Sequence, residues 1–133
     1  LKFLEWHKAQ EGVVTEESGL QYFILRKGNG KKPQNPKDSV EVHYTGRLIN
    51  GNIFDSSIER DETLKVNLDG MIEGFAKGVQ KMPVGSKWRL VIPQELAYGP
   101  NGRPGIPPAS TLIFDVELFD VMPIPANPKK DKK

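Results

Sequence analysis

The chain has 133 residues, room for one domain of ordinary size, and 37% of them are hydrophobic. Its net charge is +2, while residues 129–133 alone carry +3, so the rest of the chain has no basic excess to argue for nucleic acid. There is no cysteine, which excludes disulfides, thiolate metal sites and a cysteine nucleophile, and no apolar run approaches the ~18–20 residues that span a bilayer.

Residues 1–11 (LKFLEWHKAQE) read as the end of an amphipathic helix, with Leu1 and Leu4, and Phe3 and Trp6, three apart. Gly12 suits its C-terminus. Because the pattern is already under way at Leu1, the chain is expected to be a fragment or a processed product, and its compartment is unknown. Residues 20–27 (LQYFILRK) read as a strand, and residues 28–38, with Pro33 and Pro36, as an exposed loop. Residues 40–48 (VEVHYTGRL) alternate, placing Val40, Val42 and Tyr44 on one face and Glu41, His43 and Thr45 on the other. Asn50-Gly51 is a hairpin turn signal, with residues 52–57 as the returning arm and 64–68 as another short strand.

Residues 71–82 form the one internal helix, its stripe being Ile72, Phe75, Val79 and Met82, and Pro83-Val84-Gly85 ends it. Residues 87–92 (KWRLVI) are a strand, and 93–108 a long loop rich in proline and glycine. Residues 111–121 (TLIFDVELFDV) are the final strand, with Leu112, Phe114, Val116 and Leu118 on one face. The division is 1–18 for the helix end and linker, 19–122 for the domain, and 123–133 for a Pro/Lys-rich tail expected to be disordered. Five to six antiparallel strands and one short helix, with no βα alternation, read as an α+β fold.

Conventional catalytic patterns are missing. His7 and His43 have no partner at metal-ligand spacing, Gly28-Asn29-Gly30 is a turn and not a phosphate cradle, and no serine sits in a nucleophile elbow. Asp55 and Glu59 make a weak case for a hydrolytic carboxylate pair. No metal ion or cofactor is expected.

Three stretches carry a resemblance: VHYTGRLINGNIFDSS (42–57), GFAKGVQKMPVGSKWRLVIP (74–93) and LAYGPNGRPGIPPASTLIFDVEL (96–118). In order and spacing they resemble the FKBP family of peptidyl-prolyl cis-trans isomerases, over roughly residues 19–121. The leader around Ser18-Gly19-Leu20-Gln21-Tyr22 looks like the macrophage-infectivity-potentiator branch, in which an upstream helical region forms a homodimer. The resemblance implies a curved antiparallel sheet wrapped around one short helix, with the substrate pocket between them. It also implies isomerisation of X–Pro bonds to assist folding, proline-containing peptides and unfolded proteins as clients, and inhibition by macrolides such as tacrolimus and rapamycin. A non-catalytic peptide-binding or chaperone module of the same fold is the alternative.

Carried over position by position, the resemblance makes Tyr44, Phe54 and Phe114 the pocket walls and Phe75, where the family usually has Trp, its floor. Met71 and Ile72 precede that floor. Asp55, Tyr98 and the Ile72 N–H become the hydrogen-bonding groups, Arg60 the partner of Asp55, and Ile106 the closing residue of the flap. Asp55, Tyr98, Phe54 and Phe114 are assigned to catalysis and the others to binding. Leu64 stands at a wall position often held by an aromatic residue, and the flap Gly105-Ile106-Pro107-Pro108 is one residue shorter than forms with two isoleucines.

Overall fold

A computed structural model describes residues 2–35 and 37–122; the tail expected to be disordered lies outside the described residues. Helix α1 (Lys2–Lys8) precedes strands β1 (Val14–Thr15), β2 (Gln21–Arg26), β3 (Ser39–Leu48), β4 (Ile53–Ser56) and β5 (Leu64–Asn67). Helix α2 (Glu73–Val79) and strands β6 (Lys87–Ile92) and β7 (Leu112–Met122) complete the order. All strand pairs are antiparallel, in the order β1-β2-β6-β7-β3-β4, with β5 beside β3. This is the expected α+β architecture. The seventh strand is the two-residue β1, too short to show an alternation in the sequence.

The long strands form where the alternation is cleanest. On β3, Val40 and Val42 are fully buried and Tyr44 nearly so, and on β7 Leu112, Phe114, Val116 and Leu118 face the same core. Thr45 departs from the expected polar face. It is buried, with its hydroxyl 3.1 Å from that of Ser56 on β4, so pairing with β4 covers it. The β3–β4 turn is the one Asn50-Gly51 announces: Gly51 has φ 93 and donates its N–H to the Leu48 carbonyl at 2.9 Å.

Helix α2 is shorter than the apolar stripe at both ends. Ile72 is its extended N-cap, and the chain leaves helical hydrogen bonding in the turn after Gln80 that leads to Pro83. Two glycines inside a seven-residue helix cost about 1 kcal/mol each against alanine. Packing explains them: a Cβ on Gly74 would lie 2.3 Å from Ile92 Cγ2, and one on Gly78 would lie 2.6 Å from Leu90 Cδ1. The glycines let the helix press onto β6 while Phe75, Val79 and Met82 are fully buried, each worth roughly 1.5–3 kcal/mol. That tight seating fixes where the N-terminal end of α2 meets the tip of the sheet.

Helix α1 packs on the sheet by the face that carries Phe3, Leu4 and His7, so the apolar spacing holds for Phe3 and Leu4, which are half-buried, and fails at Trp6. His7 is buried and Trp6 is 58% exposed. The reason is polar: Gln21 on β2 accepts the His7 Nδ1 hydrogen through its Oε1 at 2.7 Å and donates its Nε2 hydrogen to the Leu4 carbonyl at 3.1 Å. Phe3 stacks on the His7 ring, with centroids 5.9 Å apart. Among the described residues no helix is long and apolar enough to cross a membrane.

Candidate functional site

Three strands and helix α2 bring four aromatic residues into one cluster. Phe114 (β7) lies 5.4 Å from Phe75 (α2), 5.5 Å from Phe54 (β4) and 6.1 Å from Tyr44 (β3), centroid to centroid. The contacts with Phe54 and Phe75 are edge-to-face, an arrangement worth about 0.5–1.5 kcal/mol beyond burial. Tyr44 meets Phe75 edge-on at 6.1 Å. Phe75 has no exposed surface, Phe114 and Tyr44 are each 5% exposed, and Phe54 is half-buried at the rim.

Gly46 makes this cluster possible, and the reading of the sequence did not place it in the site. It pairs with Asp55 across β4 and with Phe114 across β7. A Cβ there would lie 2.7 Å from Phe54 Cζ and 2.8 Å from Phe114 Cε1. The signal available was a glycine inside an otherwise well-alternating strand, which marks close approach by a neighbour.

Asp55, Arg60 and Tyr44 form a closed polar triangle at the rim. The Tyr44 hydroxyl donates to Asp55 Oδ2 at 2.6 Å, and Arg60 donates Nη1–H to Asp55 Oδ1 at 2.6 Å and Nη2–H to the Tyr44 hydroxyl at 3.0 Å. Burial opposes ionisation of Asp55, but the Tyr44 and Arg60 hydrogen bonds and the Arg60 charge outweigh it and hold its carboxyl below the usual range. Burial, with the Asp55 contact, pushes the Tyr44 phenol up. Tyr44 therefore stays a neutral donor and Asp55 an anion across ordinary pH. The triangle rests on Ser57, whose buried hydroxyl accepts the Tyr44 N–H at 2.8 Å and bonds His43 Nδ1 at 2.8 Å. His43 is thus a support for this loop.

Above the rim, the loop at 93–108 bends into a flap. The Arg103 N–H donates to the Ile106 carbonyl at 3.0 Å and the Ile106 N–H returns to the Arg103 carbonyl at 2.8 Å. Pro104 and Gly105 fill the central positions of that turn, with Gly105 at φ 84, the sign a type II turn needs. Ile106 is carried inward and is 6% exposed within the same core cluster as Phe75 and Phe114.

A cleft of about 180 Å³ lies between flap and rim, lined by Phe54, Asp55, Tyr98, Arg103, Pro104, Gly105 and Ile106. Four of the ten sequence-derived site residues line it: Phe54, Asp55, Tyr98 and Ile106. Tyr44, Phe75 and Phe114 form the layer beneath. Arg60 stands outside, bound to the triangle. Met71 and Ile72 are half-buried at the start of α2, packed against the core and away from the cleft lining. Among the described residues no acceptor takes the Ile72 N–H. Larger grooves lie elsewhere, about 400 Å³ beside Tyr22 and Trp88 and about 510 Å³ beside Phe3 and Ile49, but neither is floored by the aromatic cluster. Among the described residues no three His, Cys, Asp or Glu side chains gather where they could hold a metal ion.

An antiparallel sheet packed on a short helix, with an aromatic cluster under a proline-rich flap, defines the α+β class of this fold, and comparison with known proteins gives the family. Residues 30–119 match the family described as FKBP-type peptidyl-prolyl cis-trans isomerase, and the chain belongs to it. It is 49% identical over 123 residues to the FKBP-type 22 kDa peptidyl-prolyl cis-trans isomerase of Escherichia coli strain K12, covering 92% of this chain and 59% of that protein. It is 44% identical over 120 residues to the macrophage infectivity potentiator of Trypanosoma cruzi, covering 90% of this chain and 61% of the relative. The crystal structure of FkpA from Escherichia coli superposes with a TM-score of 0.89 at 48% identity, covering 93% of this chain and 58% of that one. The chain thus spans about three fifths of the length of these relatives.

Proposed function

We propose that the chain accelerates cis-trans isomerisation of X–Pro peptide bonds, and thereby assists folding, by seating the proline in the cleft between Phe54 and Ile106. The observation that carries the reading is the apolar aromatic cluster meeting a small cleft in which Asp55, the one carboxylate among the described lining residues, is already paired with Arg60 and hydrogen-bonded by Tyr44.

The chemistry asks for no nucleophile. Rotation about the amide must cross a state without resonance, against a barrier of about 18–20 kcal/mol, and at X–Pro it takes tens to hundreds of seconds unaided. The planar amide has the larger dipole, so water stabilises it more than it stabilises the twisted form. A cleft walled by Phe54 and Ile106 and backed by Phe114 removes that water and favours the twisted form. Ile106, carried inward on the flap, forms the upper wall against which the proline ring packs. The Tyr98 hydroxyl, on the cleft wall, is proposed to hold one flanking carbonyl, and the Ile72 N–H, outside the cleft lining at the start of α2, is proposed to take a second one farther along the bound segment. Asp55, oriented from two sides, accepts a hydrogen bond from a ligand at the rim.

Macrolides of the tacrolimus type are proposed ligands of the same cleft, with Asp55 as their polar anchor. A homodimer formed through sequence upstream of α1 is proposed too; the outward Trp6 supports it, and sedimentation of a longer chain tests it. The reading of a peptide-binding module without catalysis shares this geometry and is separated by rate. A protease-coupled assay on a Leu-Pro peptide should show acceleration that grows linearly with protein concentration. A folded sample that binds the peptide without accelerating it would favour the module.

A further inference from the structure

We propose that Arg103 makes the cleft selective for proline segments carrying an acidic residue next to the X–Pro pair. This rests on the isomerase reading and names the substrate class for the same site.

The flap holds Arg103 in one place. Its backbone exchanges both hydrogen bonds with Ile106, and Pro104 and Gly105 close the turn between them. On the other side Gly102 has φ 66, and a Cβ there would lie 2.3 Å from the Ile106 carbonyl oxygen, so the chain can pass only as glycine. The side chain is oriented as well. The guanidinium carbon lies 5.0 Å from the centroid of the Tyr98 ring, within cation–π range, and both residues line the cleft.

Charge accounting at the cleft leaves this cation over. Both oxygens of Asp55 are engaged, one by Arg60 and one by Tyr44. Among the described residues no ion pair involves Arg103. A guanidinium lying over an aromatic ring keeps its N–H edge for a planar acceptor, and a carboxylate matches that edge with two parallel hydrogen bonds. An acidic side chain flanking proline in the bound segment meets this edge, whereas a lysine there meets like charge.

The test uses two peptide series, Xaa-Leu-Pro-Phe and Ala-Leu-Pro-Xaa, with Xaa as Glu, Gln or Lys. Both kcat/KM for isomerisation and Kd by calorimetry are measured for each. In at least one series, Glu should exceed Gln by about three- to tenfold and Lys should fall below Gln. Raising salt to about 0.5 M should bring the Glu/Gln ratio toward one. Arg103→Gln should abolish the ratio, Arg103→Glu should invert it, and Arg103→Lys should keep an intermediate value, with melting curves confirming folded variants. Equal Glu and Gln values in both series, or a ratio that survives Arg103→Gln, would overturn the proposal. If no peptide is accelerated but the Kd ratio persists and needs Arg103, the charge preference stands and the isomerase reading falls.

Discussion

Replacing Gly46 with alanine tests the site through a single methyl. The new Cβ would lie 2.7 Å from Phe54 Cζ and 2.8 Å from Phe114 Cε1, where ordinary carbon contacts sit at about 3.5–4.0 Å. The two rings must separate from the strand by about 0.8–1.3 Å. Phe114 is held by Phe75 and Tyr44, so Phe54, half-buried at the rim, takes most of the movement. Overpacking of this kind costs about 1–3 kcal/mol of stability, which lowers the melting temperature by roughly 3–5 °C per kcal/mol in a chain of this size. Misplacing a substrate-positioning group by about 1 Å costs up to about 100-fold in rate. Gly46→Ala should therefore lower kcat/KM on a Leu-Pro peptide by about 10- to 100-fold at a temperature where the variant remains folded. Gly70→Ala, where an added methyl meets nothing within 4 Å, should leave rate and melting temperature as they are. A Gly46→Ala protein that melts lower yet keeps kcat/KM within about twofold would refute the placement of the Phe54–Phe114 pair at the reacting bond.

Asp55 predicts a pH signature. Its pKa is lower folded than unfolded, so its contribution to stability is fully present above the unfolded value near 4 and is lost as pH falls through the folded value. With the side chain 42% exposed, screening keeps that contribution below about 1 kcal/mol. The urea midpoint of Asp55→Asn should therefore sit below that of the parent at pH 6, and the gap should close as pH falls below the unfolded value and the Asp55 carboxyl protonates; a gap that stays constant would contradict the pairing. Gly74→Ala puts a methyl 2.3 Å from Ile92 Cγ2 and should destabilise by at least about 1–3 kcal/mol in a denaturant titration, despite the better helix propensity of alanine. A stabilised variant would mean that α2 does not press on β6 as described.

How far the sequence could be read depended on how local each signal was. Burial alternates along β3 from Ser39 to Tyr44 and along β7 from Leu112 to Leu118, and the positions of both strands follow from that period. The ends of α2 did not follow, because Ile72 belongs to the apolar stripe and still serves as the N-cap. Trp6 and His7 show the same limit. Hydrophobicity favoured burying the tryptophan, while Gln21, fourteen residues away from His7, decided for the histidine. Residue names in the cleft came through family resemblance, since a phenylalanine on a strand looks the same in a core and in a pocket wall. Gly46 and Arg103 were not in that set. Each matters through a neighbour brought close by folding, Phe114 across the sheet and Tyr98 beneath the flap.

The most direct test of the central claim is exchange spectroscopy by NMR on a Leu-Pro peptide with a small fraction of the protein, which reads cis-trans interconversion without a coupling protease. The parent protein should produce cis–trans exchange cross-peaks within about a second of mixing, when the free peptide takes tens to hundreds of seconds, and Phe114→Ala should lose most of that effect. A folded parent protein that leaves the exchange rate at the value of the free peptide would contradict the account.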